Sequence, residues 1–256
     1  MLGRIRPWGS GPYKHMKIIF CITVVLAGLV SGFAQEKAID KSEFDRIVNN
    51  STYPYARWKG KSYRATVTTE ARLQGPSKTA EGPPFTMHHT TKMVSEFGPG
   101  NAYRQMREAS YKEGEVKKYE YIRIGDFEYS RIGNESWTKK AVENAPAPPT
   151  VAPAAPPSPF EEISSDKEYK YLGTEPFRNA TVLTYLATSK QKNVYKANGS
   201  EHETVITTKY WIDKDGTLLR SEFRAAGKGV DRSNTTTVIM DFALDPSISI
   251  TAPTVP

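Results

Sequence analysis

The sequence predicts a mainly β protein built on an antiparallel sheet, with one short helix near its start. Period-two alternation of apolar and polar residues returns in segment after segment, and the breaks between segments are short and contain Gly or Asn. Parallel strands would need long helical crossovers, for which these breaks leave no room, so the sheet should be largely up-and-down. Composition agrees. The 14 Tyr, 10 Phe and 4 Trp are too many aromatics for a disordered chain, and a mean hydropathy of -0.55 excludes a polytopic membrane protein.

The first element is not part of the fold. Residues 18–35, IIFCITVVLAGLVSGFAQ, carry no charge, follow Lys17 and end in Gly32-Phe33-Ala34, the pattern of a secretory signal cut after Ala34. Met16 is the more ordinary signal start, which makes residues 1–34 an upstream extension and signal. The alternative is an uncleaved anchor, since the run is just long enough to span a bilayer. Export to a periplasm or cell envelope is expected either way. The single cysteine, Cys21, lies in this run behind Ile18-Ile19-Phe20, where a lipoprotein signal would place small residues. The processed chain therefore has no thiol chemistry and must rely on its hydrophobic core. Four of the seven net positive charges, Arg4, Arg6, Lys14 and Lys17, are also lost with the cut, so the basic balance is no argument for a nucleic-acid partner.

Next comes AIDKSEFDRIVNN (38–50), where Asp40 or Ser42 offers an N-cap and Phe44, Ile47 and Val48 recur at helical spacing. Strand patterns follow at 62–73, 85–97, 102–112, 116–125 and 127–132. In the first of these Tyr63, Ala65, Val67, Thr69, Ala71 and Leu73 alternate with polar neighbours. Residues 145–159, APAPPTVAPAAPPSP, cannot pair in a sheet and predict an extended exposed loop. Strand patterns resume at 167–173, 180–190, 204–213, 217–225 and 235–244, which favours one domain over 35–256 interrupted by a loop over two separate domains.

Three local patterns invite a chemical reading. In KYWIDKDGTLLRSEFR (209–224) an EF-hand register would place Asp213, Asp215, Gly216 and Glu222 well, but its first ligand position falls on Trp211 and the flank alternates with period two. Asp215-Gly216 therefore reads as a hairpin turn. His88 and His89 are adjacent on a strand and point to opposite faces, so they cannot share a metal without distortion. Asn-x-Ser/Thr sequons occur at Asn49, Asn50, Asn134, Asn179, Asn198 and Asn234, and matter only in a eukaryotic secretory pathway. No Walker loop, G-x-S-x-G elbow, HExxH or dinucleotide fingerprint is present, and no metal or cofactor is expected.

The order of the pieces resembles a family. EYIRIGDFEYSRIGNESWTK (120–139), with Ile124, Gly125, Asp126, Tyr129, Arg131, Gly133, Trp137, Thr138 and Lys139, is followed by YKYLGTEPFRNATVLTYL (169–186), with Leu172, Gly173 and Glu175. The Tyr210-Trp211-Ile212-Asp213 hairpin and DFALDPSISITAPTVP (241–256) complete the set. This resembles the LolA-like superfamily of bacterial envelope proteins, which includes outer-membrane lipoprotein carriers and LppX/LprG-type lipid-binding lipoproteins. The resemblance implies a strongly curved antiparallel half-barrel with a short N-terminal helix, covered by a loop or helix segment, whose apolar concave face receives acyl chains. The chain departs from that pattern in two places. The Pro/Ala tract occupies much of the region where a helical lid is expected, leaving PFEEISSDKEYK as the candidate short helix, and there is no lipobox.

On that fold the cavity candidates are Tyr63, Val67, Tyr210, Ile212, Leu219, Phe223, Met240 and Phe242 on the apolar strand faces, with Phe44 and Ile47 of the helix over them. The expected function is non-enzymatic binding of lipid or a lipoprotein's acyl part, with a carrier role and peripheral membrane contact among its consequences. A closed core would use the same residues. An envelope sensor of the same fold, binding a protein partner as RseB-like relatives bind anti-sigma factors, is the alternative. A secreted hydrolase using an unrecognised carboxylate pair is a further one.

Overall fold

The computed structural model describes residues 36–48, 51, 57–76, 83–112, 114–142, 160–195, 199–229 and 232–255. The segment expected to be a signal, Cys21, the Pro/Ala tract and the sequons at Asn49, Asn50 and Asn198 lie outside the described residues.

Helix α1 (Lys41–Val48) follows a two-residue strand, β1 (Lys37–Ala38). Asp40 is its N-cap: its carboxylate accepts the Glu43 amide at 2.7 Å and the Ser42 hydroxyl at 2.7 Å. The Glu43 amide first, then the Ser42 hydroxyl, holds the Asp40 carboxyl below its usual range.

Two meanders follow. The first is β2 (Tyr63–Gly75), β3 (Phe85–Phe97), β4 (Tyr103–Lys112), β5 (Glu115–Ile124), β6 (Phe127–Ile132) and β7 (Thr138–Ala141). The second is β8 (Phe160–Phe177), β9 (Ala180–Tyr195), β10 (Glu201–Asp213), β11 (Leu218–Gly229) and β12 (Ser233–Leu244). Every pairing is antiparallel, and β12 pairs with β2, so both meanders belong to one sheet of order β1-β8-β9-β10-β11-β12-β2-β3-β4-β5-β6-β7. The sheet is strongly curved and does not close: β1 and β7 are its two edges, and the result is a half-barrel.

One expectation is corrected. Of the PFEEISSDKEYK stretch, the described residues 160–170 are not helical; they form the first part of β8, paired from Phe160↔Tyr195 onward. Strand β9 runs on to Tyr195 and presents a ladder of backbone donors and acceptors, which outweighs the weak local helix propensity of the acidic stretch. Bulges between Glu162 and Ser164, and between Tyr171 and Gly173, let so long a hairpin bend with the sheet.

Register assigns the two faces, because residues opposite one another in neighbouring strands project to the same side. Tyr185, Tyr210, Ser221, Met240, Val67 and Met93 form one such row from β9 to β3. Helix α1 packs on this side, with the Phe44 ring 4.7 Å from Tyr169 and 5.9 Å from Tyr210, which makes it the inner face. The outer face mixes charged side chains with a second set of buried apolar ones, Ile122, Tyr129, Val182 and Trp211. There Arg64, Glu96 and Arg104 lie in register, Glu96 receiving both guanidinium groups. Trp211 is sandwiched between Lys209, 4.5 Å from its ring centre, and Arg220 at 5.3 Å.

Candidate functional site

The inner face divides into a packed end and an aromatic-walled cleft. At the packed end Phe44, Trp58, Tyr63, Tyr185, Ile212, Leu218 and Phe242 form a buried cluster, each worth about 1.5–3 kcal/mol of burial for a large apolar side chain. Of the sequence-derived candidates, Phe44, Tyr63, Ile212 and Phe242 are in this cluster, while Ile47, Tyr210, Leu219 and Met240 are half-buried against it. Val67 and Phe223 share the inner face, further along β2 and β11, but are not in the cluster.

The cleft, about 830 Å³, lies between residues 57–61 and the ends of β2 to β5. Its floor is a ladder of rings. Tyr63 stacks on Phe97 with centroids 4.3 Å apart and planes 12° apart, and Trp58 meets Tyr63 edge-on at 5.6 Å. Phe97 continues to Tyr103 at 5.0 Å, and Tyr103 to Tyr121 at 5.9 Å. The cause is register: Tyr63, Phe97 and Tyr103 are direct cross-strand partners, and Tyr121 is the diagonal neighbour on β5.

Polar groups sit beneath and around these rings. Gln105 Nε2 donates to the Tyr103 hydroxyl at 2.7 Å, and the buried Ser95 hydroxyl is 3.3 Å from the same oxygen. Burial first, then the neighbouring Glu128 carboxylate, pushes the Tyr121 phenol up to about 12, so it remains a neutral wall group at physiological pH. Lys59, Lys61 and Arg123 are also in the cleft lining, with Asp126 the lining carboxylate. The wall at Pro99–Asn101 is a single 3-10 turn in which Gly100 takes φ of +66°, a conformation that favours glycine.

A smaller cleft, about 310 Å³, is lined by Lys37, Ile39, Glu43, Tyr171, Leu183 and Tyr185 at the other edge of the inner face. Burial, with Tyr171 next in importance, raises the Tyr185 phenol above its ordinary value.

Of the ten sequence-derived candidates only Tyr63 lines either cleft. Sequence reasoning missed Trp58, Phe97, Tyr103 and Tyr121, although the signal was present: aromatic residues fall on the inward phase at the facing ends of three consecutive strands.

The other chemical patterns resolve into structure. The Asp213 carboxylate accepts the backbone amides of Asp215 at 2.9 Å and Thr217 at 2.8 Å, and Gly216 takes φ of +78°, which is the turn of the β10–β11 hairpin. His88 reaches Glu70 at 3.2 Å on the outer face, while His89 stacks on Tyr111 at 4.4 Å on the inner one. Among the described residues no group of three His, Cys, Asp or Glu side chains is placed to hold a metal ion. Several outer-face acids are tied to cations: Glu96 to Arg64 and Arg104, Glu175 to Lys209, Asp241 to Arg178.

No family model and no curated protein matches the chain. Among solved structures it is similar to the ywiB protein from Bacillus subtilis, at 6% identity and a TM-score of 0.19 over 73% of this chain and 97% of that one. It is also similar to the translocator domain of the autotransporter NalP from Neisseria meningitidis, at 10% identity and a TM-score of 0.23 over 79% and 92% of the two chains. Likenesses this distant bear on neither fold nor function.

Proposed function

We propose that this is an exported, non-enzymatic envelope protein with a LolA-like half-barrel, which binds lipid or the acyl part of a lipoprotein on its inner face. The observation that supports the reading is the aromatic cleft. Its volume, about 830 Å³, lies within the roughly 300–1,000 Å³ of small-ligand sites, and a continuous ladder of five rings forms its floor. Aromatic rings offer apolar contact with little side-chain entropy to lose, and the hydroxyl groups of Tyr103 and Tyr121 already have partners of their own. The cleft thus offers ring faces to the apolar part of a guest, beside the charged side chains of Lys59, Lys61, Arg123 and Asp126.

The energetics suit reversible binding. An acyl chain of about sixteen carbons gains roughly 12 kcal/mol on burial at about 0.8 per methylene, against an association cost of roughly 4–15 kcal/mol. A carrier needs that near-balance.

The test is lipid analysis by mass spectrometry of protein purified gently from its own envelope, paired with titration of a fluorescent acyl probe. Co-purifying lipid and saturable probe binding are expected, with Phe97→Ala weakening the probe about tenfold by removing a ring from the middle of the floor. A protein free of lipid that also ignores the probe overturns the proposal. Recovery of one stoichiometric protein partner in its place favours the sensor reading.

A further inference from the structure

Resting on the reading of the cleft as an acyl site, we infer that its ligand is a lipid with a phosphate head group, held by Lys59, Lys61 and Arg123, rather than an acylated lipoprotein. The lining of the cleft carries these three cations and one carboxylate, Asp126. None of the three cations has an ion-pair partner among the described residues, whereas Arg64, Arg72, Arg104 and Arg131 on the strands each have one. The cleft lining therefore carries an excess of positive charge beside its floor of rings, offset in part by Glu128 opposite Arg123. That is the charge a phosphomonoester balances, with a guanidinium fork and two ammonium groups as its donors.

The geometry orders the ligand. Lys59 and Lys61 come from the segment after Trp58, and Arg123 from the end of β5, so two separate parts of the chain bring cations to the cleft that the rings also line. An amphiphile entering tail first leaves its head at these cations. The anionic oxygen atoms then keep their water on one side, which is why exposed cations suffice. The Glu128 carboxylate, opposite Arg123 in the register, accepts from the Tyr121 hydroxyl and forms no ion pair with Arg123, so it offsets that charge without occupying the guanidinium.

The experiment compares two fluorescent lipids with identical chains, a phosphatidic acid and a diacylglycerol, on the full processed protein at low and high salt. The phosphatidic acid is expected to bind at least tenfold more tightly at low salt, and the preference to shrink as salt rises. In the variant carrying Lys59→Gln, Lys61→Gln and Arg123→Gln together the preference collapses toward unity. Lys117→Gln, Lys118→Gln and Lys228→Gln together, which remove the same charge elsewhere, keep it. Equal binding of both lipids overturns the head-group inference and leaves acyl binding standing; binding of neither overturns both. A fatty acid bound more tightly than the phosphatidic acid overturns the phosphate assignment.

Discussion

The ring of Phe44, on the eight-residue helix α1, lies 4.7 Å from that of Tyr169 on β8 and is tilted 41° to it. Phe44 is the buried residue of the helix, 5% exposed, and anchors it to the sheet with Ile47 and Val48 packed beside it. So short a helix has little stability of its own in water, so its structure depends on this packing.

Phe44→Ala is therefore expected to cost about 3–5 kcal/mol, from lost transfer energy and the cavity left behind, while Phe44→Leu costs about 1. Urea unfolding followed by tryptophan fluorescence measures both. A loss below about 1 kcal/mol for the alanine variant would show that the helix is dispensable to the fold.

Glu96 is 2% exposed and is bound by Arg64 and Arg104 from the two flanking strands. Glu96→Gln keeps the volume and removes the charge, leaving two guanidinium groups facing an amide. Because Arg64 and Arg104 remain 44% and 35% exposed, water compensates part of the loss, and about 1–3 kcal/mol is expected. An unchanged urea midpoint would contradict this.

The raised Tyr121 phenol predicts a pH dependence with a definite sign. Its folded value of about 12 lies above the ordinary 10.0, so the unfolded chain loses this proton first as pH rises. The stability it contributes is full below pH 10 and is lost as pH climbs through about 12. Ultraviolet titration of tyrosinate should lose its latest step in Tyr121→Phe, and thermal melts of that variant should fall less steeply over the same range. A Tyr121 that ionises with the exposed tyrosines would refute the assignment.

At the β10–β11 turn, Asp213→Ala removes the acceptor of two backbone amides and should cost about 1–2 kcal/mol, whereas Asp213→Asn keeps an oxygen there and most of the stability. Gly216→Val forces a β-branched residue to φ of +78° and should cost at least as much. Added calcium should change none of these melting temperatures; a large rise would revive the cation-loop reading.

The sheet was legible because alternation is a local property. FTMHHTTKMVSEF and FEYSRI coincide with β3 and β6, and the period-two flanks of Asp213 marked a turn where acid spacing alone suggested a loop for metal. Elements that exist only through a partner were not legible: β1 is two residues long and forms on β8, and β7 is four residues on β6. The start of β8 misled for the same reason, its strand conformation being supplied by β9 across the hairpin. The apolar phase of each strand could be read, so Tyr63, Met240 and Phe242 were placed on the right face. Which apolar residues pack together and which leave a gap depends on how strand ends line up, as Phe97 and Tyr103 do beside Tyr63, and that register is not written in any one segment.

The pairing of β12 with β2 has a kinetic meaning. It joins residues as far apart as Phe242 and Ala65, so the seam that makes one sheet of two meanders cannot form until nearly all of the described chain is available. Such distant pairing costs loop-closure entropy before it returns any stability, which places its formation late and slow in folding. A chain threaded across a membrane from its amino end would emerge with its first meander waiting, its β2 edge open, for the strand that completes it. A single cut between Val142 and Phe160 would leave each meander whole, with the seam, β1 on β8 and α1 against Tyr169 to join them, which makes the two fragments natural candidates for reconstitution by complementation.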